Sequence, residues 1–344
     1  MRKYILFLSN LSILSILSTF SLTFARSGAS DLSLRREGLR PAHTYSIVAI
    51  DKKTGELGAA VQSHWFSVGS IVPWVEAEVG AVCTQSFVEA SYGPLGIELM
   101  RAGKSAEEAL AGLIKADPHE SVRQVAMVDA KGRVAVHTGR ECIPEAGHVV
   151  GDGFSCQANL MLKNTVWPAM ARAFESTKGE LVDRLMAALE AAEAQGGDIR
   201  GRQAAGIIVV RGKSSGVWWK DRLYDLRVED HPEPLAELKR LIRLNKAYNF
   251  MNQGDELLTE KKAEEAMKAY TRAMEMHPDN AEMIFWPAVT LASTGRVDES
   301  LPLFKKVFAL DTNWAILVPR LPQVGQLPKD EALLKKILSQ APRK

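Results

Sequence analysis

Three features of the sequence predict an α+β fold of two parts: two stacked antiparallel sheets covered by helices, then an all-α helical-repeat domain. Between residues 44 and 230, strand-like apolar runs and helical periodicities come in blocks: strands, two helices, strands, two helices, strands. Such blocks suit a four-layer αββα sandwich, because each sheet can bury one face on the other and one under helices. The stretch His231-Pro-Glu-Pro234 then breaks the pattern, and everything beyond it reads as helix with a 34-residue repeat.

Taken in order, the chain opens with Met1-Arg-Lys and an apolar run from Tyr4 to Phe24, closed by small residues at Thr23-Phe-Ala25. This is the pattern of a signal peptide over residues 1–25, so an extracytoplasmic protein, periplasmic or secreted, is expected. An uncleaved anchor is the competing reading of so long a run, but Asn10 and the repeated serines weigh against a stable span. Residues 26–43 are polar, proline-containing and aperiodic, as in a leader or propeptide. The formal charge of +2 comes from Arg2 and Lys3; without them basic and acidic residues balance, so no nucleic-acid partner is implied.

The central stretch is a hairpin, Thr44-Tyr-Ser-Ile-Val-Ala-Ile then Leu57 to Ser63, around an Asp51-to-Gly55 turn whose glycine can take positive φ. Its two strands are almost continuously apolar, which predicts burial on both faces. Further short strands are expected at Ile71–Trp74 and Gly80–Gln85, and a helix at Tyr92–Leu99. Ser105-Ala-Glu-Glu108 is a capping box opening a helix through Ile114. Gln124–Asp129 and Arg133–Thr138 predict a second hairpin, and Val149–Leu162 a Gly-Asp-Gly irregularity followed by strand or loop. Helices over Val166–Ser176 and Gly179–Ala194 and strands over Ala204–Val210 and Gly216–Val228 complete residues 44–230.

After the linker 231–234, residues 235–344 carry two copies of a pattern, Ala247–Asn280 and Ala281–Trp314. Phe250, Gly254, Leu257, Ala266, Tyr270, Ala273 and Pro278 stand where a tetratricopeptide repeat wants its packing residues. The second copy keeps Ala288, Leu291, Ser300, Phe304 and Val307. Helices at Pro234–Lys246 and Lys329–Ser339 would cap the pair. Such a unit either buttresses the first domain or a homodimer, or binds a protein or peptide partner.

Several motifs follow one another along the chain: Thr44-Tyr-Ser-Ile-Val-Ala, Gly58-Ala-Ala-Val-Gln-Ser63, Val68-Gly-Ser-Ile-Val-Pro-Trp74 and Gly80-Ala-Val-Cys-Thr-Gln85. Then come Tyr92-Gly-Pro-Leu-Gly96, Gln157-Ala-Asn159 and Gly196-Gly-Asp-Ile-Arg-Gly-Arg-Gln203. The series resembles the domain of unknown function 1028 family, assigned to the N-terminal-nucleophile (Ntn) hydrolase fold. The resemblance implies an Ntn-like four-layer sandwich over residues 44–230. In the simplest family pattern the threonine follows an initiator methionine; here the enzyme reading needs a second cut at His43–Thr44, for which attack of the Thr44 hydroxyl on the His43 carbonyl is one route.

The chemistry such a site needs is acyl transfer at an amide. A threonine at a chain's N-terminus unites a hydroxyl nucleophile with an α-amine base of ordinary pKa about 7.7–8.0, so no separate histidine is required. Thr44 is the candidate nucleophile. Ser46, on the same strand face, is an assistant, a fallback nucleophile or a plain polar residue. Asn159 is the candidate oxyanion donor, or else caps a turn. Ser63 and Gln85 end predicted strands and are candidates to line the substrate pocket. Asp198 and Arg200 either pair to shape the site, or Arg200 binds a substrate carboxylate. Cys83, Cys142 and Cys156 are too few for a disulfide framework; Cys142 with Cys156 is the most plausible pair, and Cys83 packs in a strand. No metal-ligand spacing or phosphate-cradling loop occurs, so no cofactor is expected. Two readings stand: an exported amidohydrolase acting on a small amide or peptide, or a non-catalytic binding protein with a degenerate hydrolase domain.

Overall fold

The computed structural model describes residues 43–342. The expected export segment, residues 1–25, and the leader 26–43 apart from His43 lie outside the described residues.

The hairpin forms as its composition predicts. Strand β1 (Thr44–Ile50) pairs antiparallel with β2 (Leu57–Ser63), with Thr44 opposite Ser63 and Ile50 opposite Leu57. Every residue of both strands is buried. Gly55 closes the turn with φ of 76°, a conformation open to glycine at little cost.

Around this hairpin a six-stranded sheet assembles in the order β10-β9-β2-β1-β8-β7, adding β7 (Gly147–Gly151), β8 (Phe154–Ala158), β9 (Ala204–Val210) and β10 (Arg222–Val228). A four-stranded sheet, β3-β4-β5-β6, comprises β3 (Pro73–Glu76), β4 (Gly80–Ser86), β5 (Arg123–Asp129) and β6 (Val134–Thr138). All neighbouring strands run antiparallel.

Strand periodicity sorts the β1 side chains into two cores. Tyr45, Ile47 and Ala49 face helices α3 (Val166–Ser176) and α4 (Leu181–Ala194), packing with Met170, Phe174, Leu185 and Leu189. Val48 and Ile50 face the second sheet and pack with Ala81, Cys83, Ala126 and Val128. Helices α1 (Tyr92–Arg101) and α2 (Ala106–Ala116) cover the far side of that sheet, over Val82, Val125 and Met127. The layers therefore run helix, sheet, sheet, helix. The predicted capping box is made: Ser105 Oγ accepts from the Glu108 amide at 3.1 Å, and Glu108 Oε2 accepts from the Ser105 amide at 2.8 Å.

Local readings are sharpened in one place and fail in two. The Gly-Asp-Gly irregularity read within 149–162 is the turn of a full hairpin, β7–β8, and of the strand or loop expected after it the strand forms. The strand predicted from Gly216 begins only at Arg222, because a short helix α5 (Trp218–Asp221) precedes it. There the Asp221 carboxylate accepts from the Ser214 hydroxyl and the Ser215 amide. Cys142 and Cys156 do not pair; all three thiols are free and buried. Cys156 lies in the core beneath α3 and α4, while the Cys142 sulfur meets the Arg123 carbonyl at 3.4 Å.

The C-terminal part is helical. Helix α6 (Pro234–Thr259) runs unbroken for 26 residues, past the end predicted at Lys246, since no residue there opposes continuation. Its first half sets Leu235, Leu238 and Ile242 into the core beneath the six-stranded sheet. Its second half packs Ala247 and Met251 on α7 (Ala263–Met276). A second pair, α8 (Ala281–Ser293) and α9 (Val297–Leu310), is followed by α10 (Asn313–Leu317) and α11 (Glu331–Leu338). No helix among the described residues is long and apolar enough to cross a membrane.

Candidate active site at the open end of the hairpin

The register that pairs Thr44 with Ser63 puts both at the open end of the β1–β2 hairpin. Thr44 and Ser46 share the β1 face that looks at the second sheet, but here the inter-sheet layer is polar. Gln85 of β4, Gln124 of β5 and Gln157 of β8 replace the aliphatic residues found further along, and all three are fully buried. Buried amides are costly unless bonded, and these are. Gln85 Nε2 donates to the Thr44 carbonyl at 3.2 Å and to Gln124 Oε1 at 2.7 Å. Ser46 Oγ donates to Gln85 Oε1 at 2.6 Å and accepts from Gln157 Nε2 at 2.6 Å. The Ser46 proton is thus committed, so its place is in the scaffold beneath Thr44.

At Thr44 the hydroxyl donates to Ser63 Oγ at 3.2 Å. Ser63 Oγ donates in turn to the carbonyl oxygen of His43. Arg200 Nη2 donates to that same oxygen at 2.9 Å. Two donors therefore converge on the carbonyl of the His43–Thr44 bond, and one of them also touches the Thr44 hydroxyl.

Arg200 is set by Asp198, the first of the two alternatives raised for this pair. Arg200 Nε reaches Asp198 Oδ1 at 3.0 Å and Nη2 reaches Oδ2 at 2.7 Å. Asp198 is buried and also accepts from the amides of His64 and Arg200. Such a pair survives burial because its remaining lone pairs are bonded. The Nε–Nη2 edge of Arg200 is forked onto Asp198, so that edge is not the one that would meet a substrate carboxylate. Gly196, Gly197 and Gly201 all take positive φ in this loop, which lets it fold back on the hairpin end. An antiparallel bridge between Met161 and Asp198 ties it to the segment carrying Asn159.

Asn159 is part of the constellation in a different sense from that expected. Its Nδ2 donates to Gln124 Oε1 at 2.9 Å, and its Oδ1 faces the His43 ring Nδ1 at 3.0 Å. Toward His43 it presents an acceptor, and the side-chain donors to the His43 carbonyl oxygen are Ser63 and Arg200. His43 is only 2% exposed and meets Phe87 edge-on, with centroids 6.2 Å apart. Burial lowers the pKa of its ring and the nearby Arg200 lowers it further, outweighing the Asn159 bond and Asp198. The ring is therefore neutral at pH 7. Cys83, another nucleophile by type, is disqualified: burial pushes its thiol up to about 12.

All seven residues singled out from the sequence thus meet in one network. His43, Gln124 and Gln157 complete it and were not predicted as site residues. Lone glutamines in otherwise apolar strands were the available signal for the last two. Among the described residues no cluster of His, Cys, Asp and Glu is arranged to hold a metal ion.

A family model described as a family of unknown function, DUF1028, matches residues 44–238. The match begins at Thr44 and ends within α6. The crystal structure of a protein from Silicibacter pomeroyi, assigned to that family, is similar at 27% identity and a TM-score of 0.52. The similarity covers 59% of this chain and 88% of that one. No curated protein matches the chain.

Proposed function

The chain belongs to the DUF1028 family, and from that premise we propose that it is an exported amidohydrolase of the N-terminal-nucleophile type, with Thr44 as the nucleophile. The observation that carries this reading is the convergence at Thr44: its hydroxyl contacts Ser63, and Ser63 and Arg200 both donate to the carbonyl oxygen just upstream. Donors aimed at a carbonyl oxygen are what acyl transfer uses to stabilise the oxyanion. The four-layer order of helices and sheets agrees with an Ntn-type sandwich. The helix pairs that follow, α6–α7 and α8–α9, agree with tetratricopeptide-like packing.

The first acyl transfer is the chain's own. Thr44 Oγ1 attacks the His43 carbonyl carbon, closing a small ring of Oγ1, Cβ, Cα, N and C. The hydroxyl proton passes to Ser63, with which it is hydrogen-bonded. As the intermediate collapses that proton is delivered to the Thr44 nitrogen, the C–N bond breaks, and the His43 acyl group is left on Oγ1 beside a free α-amine; water then releases the segment ending in His43. The amine is the base for later turnovers. It takes the hydroxyl proton as Oγ1 adds to a substrate amide and delivers it to the departing amine, and hydrolysis of the ester returns Thr44.

The test compares the full chain with a form beginning at Thr44 in a screen of small amides and peptides. Hydrolysis confined to the trimmed form, and lost in Thr44→Ala, supports the reading. Equal activity of both forms, or survival in Thr44→Ala, overturns it; no hydrolysis by either favours a non-catalytic binding protein. Export is read separately by intact mass of material from the native host, which should lack residues 1–25.

A further inference from the structure

The orientation of the Asn159 amide is fixed by atoms that cannot donate. Gln124 Nε2 lies 2.9 Å from the Ala158 carbonyl and 3.3 Å from the Gly147 carbonyl, both acceptors only. Gln124 must turn its nitrogen to them, which leaves Oε1 facing Asn159 and Gln85. Asn159 can meet an acceptor only with Nδ2, so its Oδ1 is the atom presented to His43. The His43 Nδ1 must then carry a proton. This is a neutral ring held by a single directed bond, in a buried position bounded by Phe87 and by the Arg200–Asp198 pair.

We propose that this position is the acyl-side recognition pocket of the enzyme, and that Asn159 Oδ1 selects an amide whose carbonyl-bearing residue has an uncharged, planar side chain with an N–H donor, histidine-like in shape. The proposal rests on the Ntn reading. Whatever amide Thr44 Oγ1 attacks must place its carbonyl oxygen against Ser63 and Arg200, where the His43 carbonyl oxygen is. Its acyl-side side chain then falls where the His43 ring falls. A carboxylate there would face the Asn159 carbonyl dipole, while the nearby guanidinium of Arg200 is engaged by Asp198 and the backbone carbonyl. An ammonium group would lose its hydration in a buried site beside Arg200. An aliphatic side chain would strand Asn159 Oδ1, a buried acceptor. His43 is accordingly a built-in occupant, and the segment that ends in it is a product-like ligand.

The experiment reads binding and not turnover, so its outcome is separate from that of the hydrolase reading. The chain beginning at Thr44 lacks only the first three residues of the compact unit 41–344 and leaves the His43 position vacant. It is titrated by calorimetry with acetyl-Arg-Pro-Ala-His bearing a free carboxylate, and with the same peptide methylated at ring Nδ1 or at ring Nε2. The Nδ1-methyl peptide should bind on the order of tenfold more weakly than the Nε2-methyl peptide, the effect of one buried hydrogen bond. Asn159→Leu should erase that difference. Equal affinity of the two methylated peptides, or no binding of the unmodified one, overturns the proposal. Should the trimmed chain not fold, the full chain carrying Thr44→Ala is labelled with ¹⁵N-histidine. A His43 ring protonated on Nδ1, reverting to Nε2 in Asn159→Leu, supports the pocket; protonation on Nε2 in the parent overturns it.

Discussion

Ser63 accepts a hydrogen bond from the Thr44 hydroxyl at 3.2 Å across the last rung of the central hairpin. Because Ser63 also donates to the His43 carbonyl, one hydroxyl links the Thr44 hydroxyl to the oxygen on which charge would develop in the proposed attack. Removing it should therefore affect the reaction more than the fold. Ser63→Ala is expected to slow both the cut at His43–Thr44 and later amide hydrolysis by about 10²–10³, the usual loss for one oxyanion donor. Thr44→Ser should keep part of the activity and Thr44→Ala none. Intact-mass time courses follow the cut; an unchanged cutting rate in Ser63→Ala would remove Ser63 from the mechanism.

Gln124 is the hub of the buried amides, accepting from Gln85 and Asn159 while donating to the Ala158 carbonyl. Gln124→Leu preserves size but leaves two buried donors and a buried carbonyl without it. A loss of about 3 kcal/mol in unfolding free energy is expected, on the scale of stranded buried polar groups. Urea denaturation measures this, and a change below about 0.5 kcal/mol, the range of ordinary surface substitutions, would show that the network is not a hub.

His43 gives the uncut chain a pH dependence whose sign follows from its lowered pKa. The unfolded chain takes up the ring proton near the ordinary value of about 6.5, before the folded chain does. Stability is thus full above that value and declines as the pH falls from it toward the lower folded value. His148 is lowered as well, by burial and by His137, so the His43 share must be taken as a difference. Denaturation midpoints of Thr44→Ala between pH 8 and 5 should fall more steeply than those of Thr44→Ala with His43→Gln. Parallel curves would mean that the ring is not held neutral.

Gly254 of α6 lies against the Tyr270 ring of α7: a Cβ there would sit 2.3 Å from Cε1. Helix propensity favours alanine over glycine by about 1 kcal/mol, but an overpacked contact costs about 1–3 kcal/mol, and flexible relief is absent because Tyr270 is fully buried. Gly254→Ala should destabilise the protein, with faster amide exchange in α6 and α7 and little change in β1 and β2. A gain in thermal stability would show that the helices separate easily.

Everything governed by neighbours in the chain could be read before the fold was known. Apolar runs and Gly55 marked the Thr44–Ser63 hairpin, Ser105 and Glu108 marked the start of α2, and spacing marked the helix pairs after Ala247. Period-two alternation was enough to put Thr44 and Ser46 on one face. Direction was not legible. An asparagine in a sequence is donor and acceptor at once. Asn159 becomes an acceptor toward His43 only because Gln124, 35 residues away, is turned by the carbonyls of Ala158 and Gly147. Arg200 likewise becomes a donor to the His43 carbonyl, 157 residues away, because Asp198 takes the rest of its fork. Hydrogen bonds across packed layers depend on which atoms face each other, and that is set by how the two sheets and the loop at residues 196–201 come together.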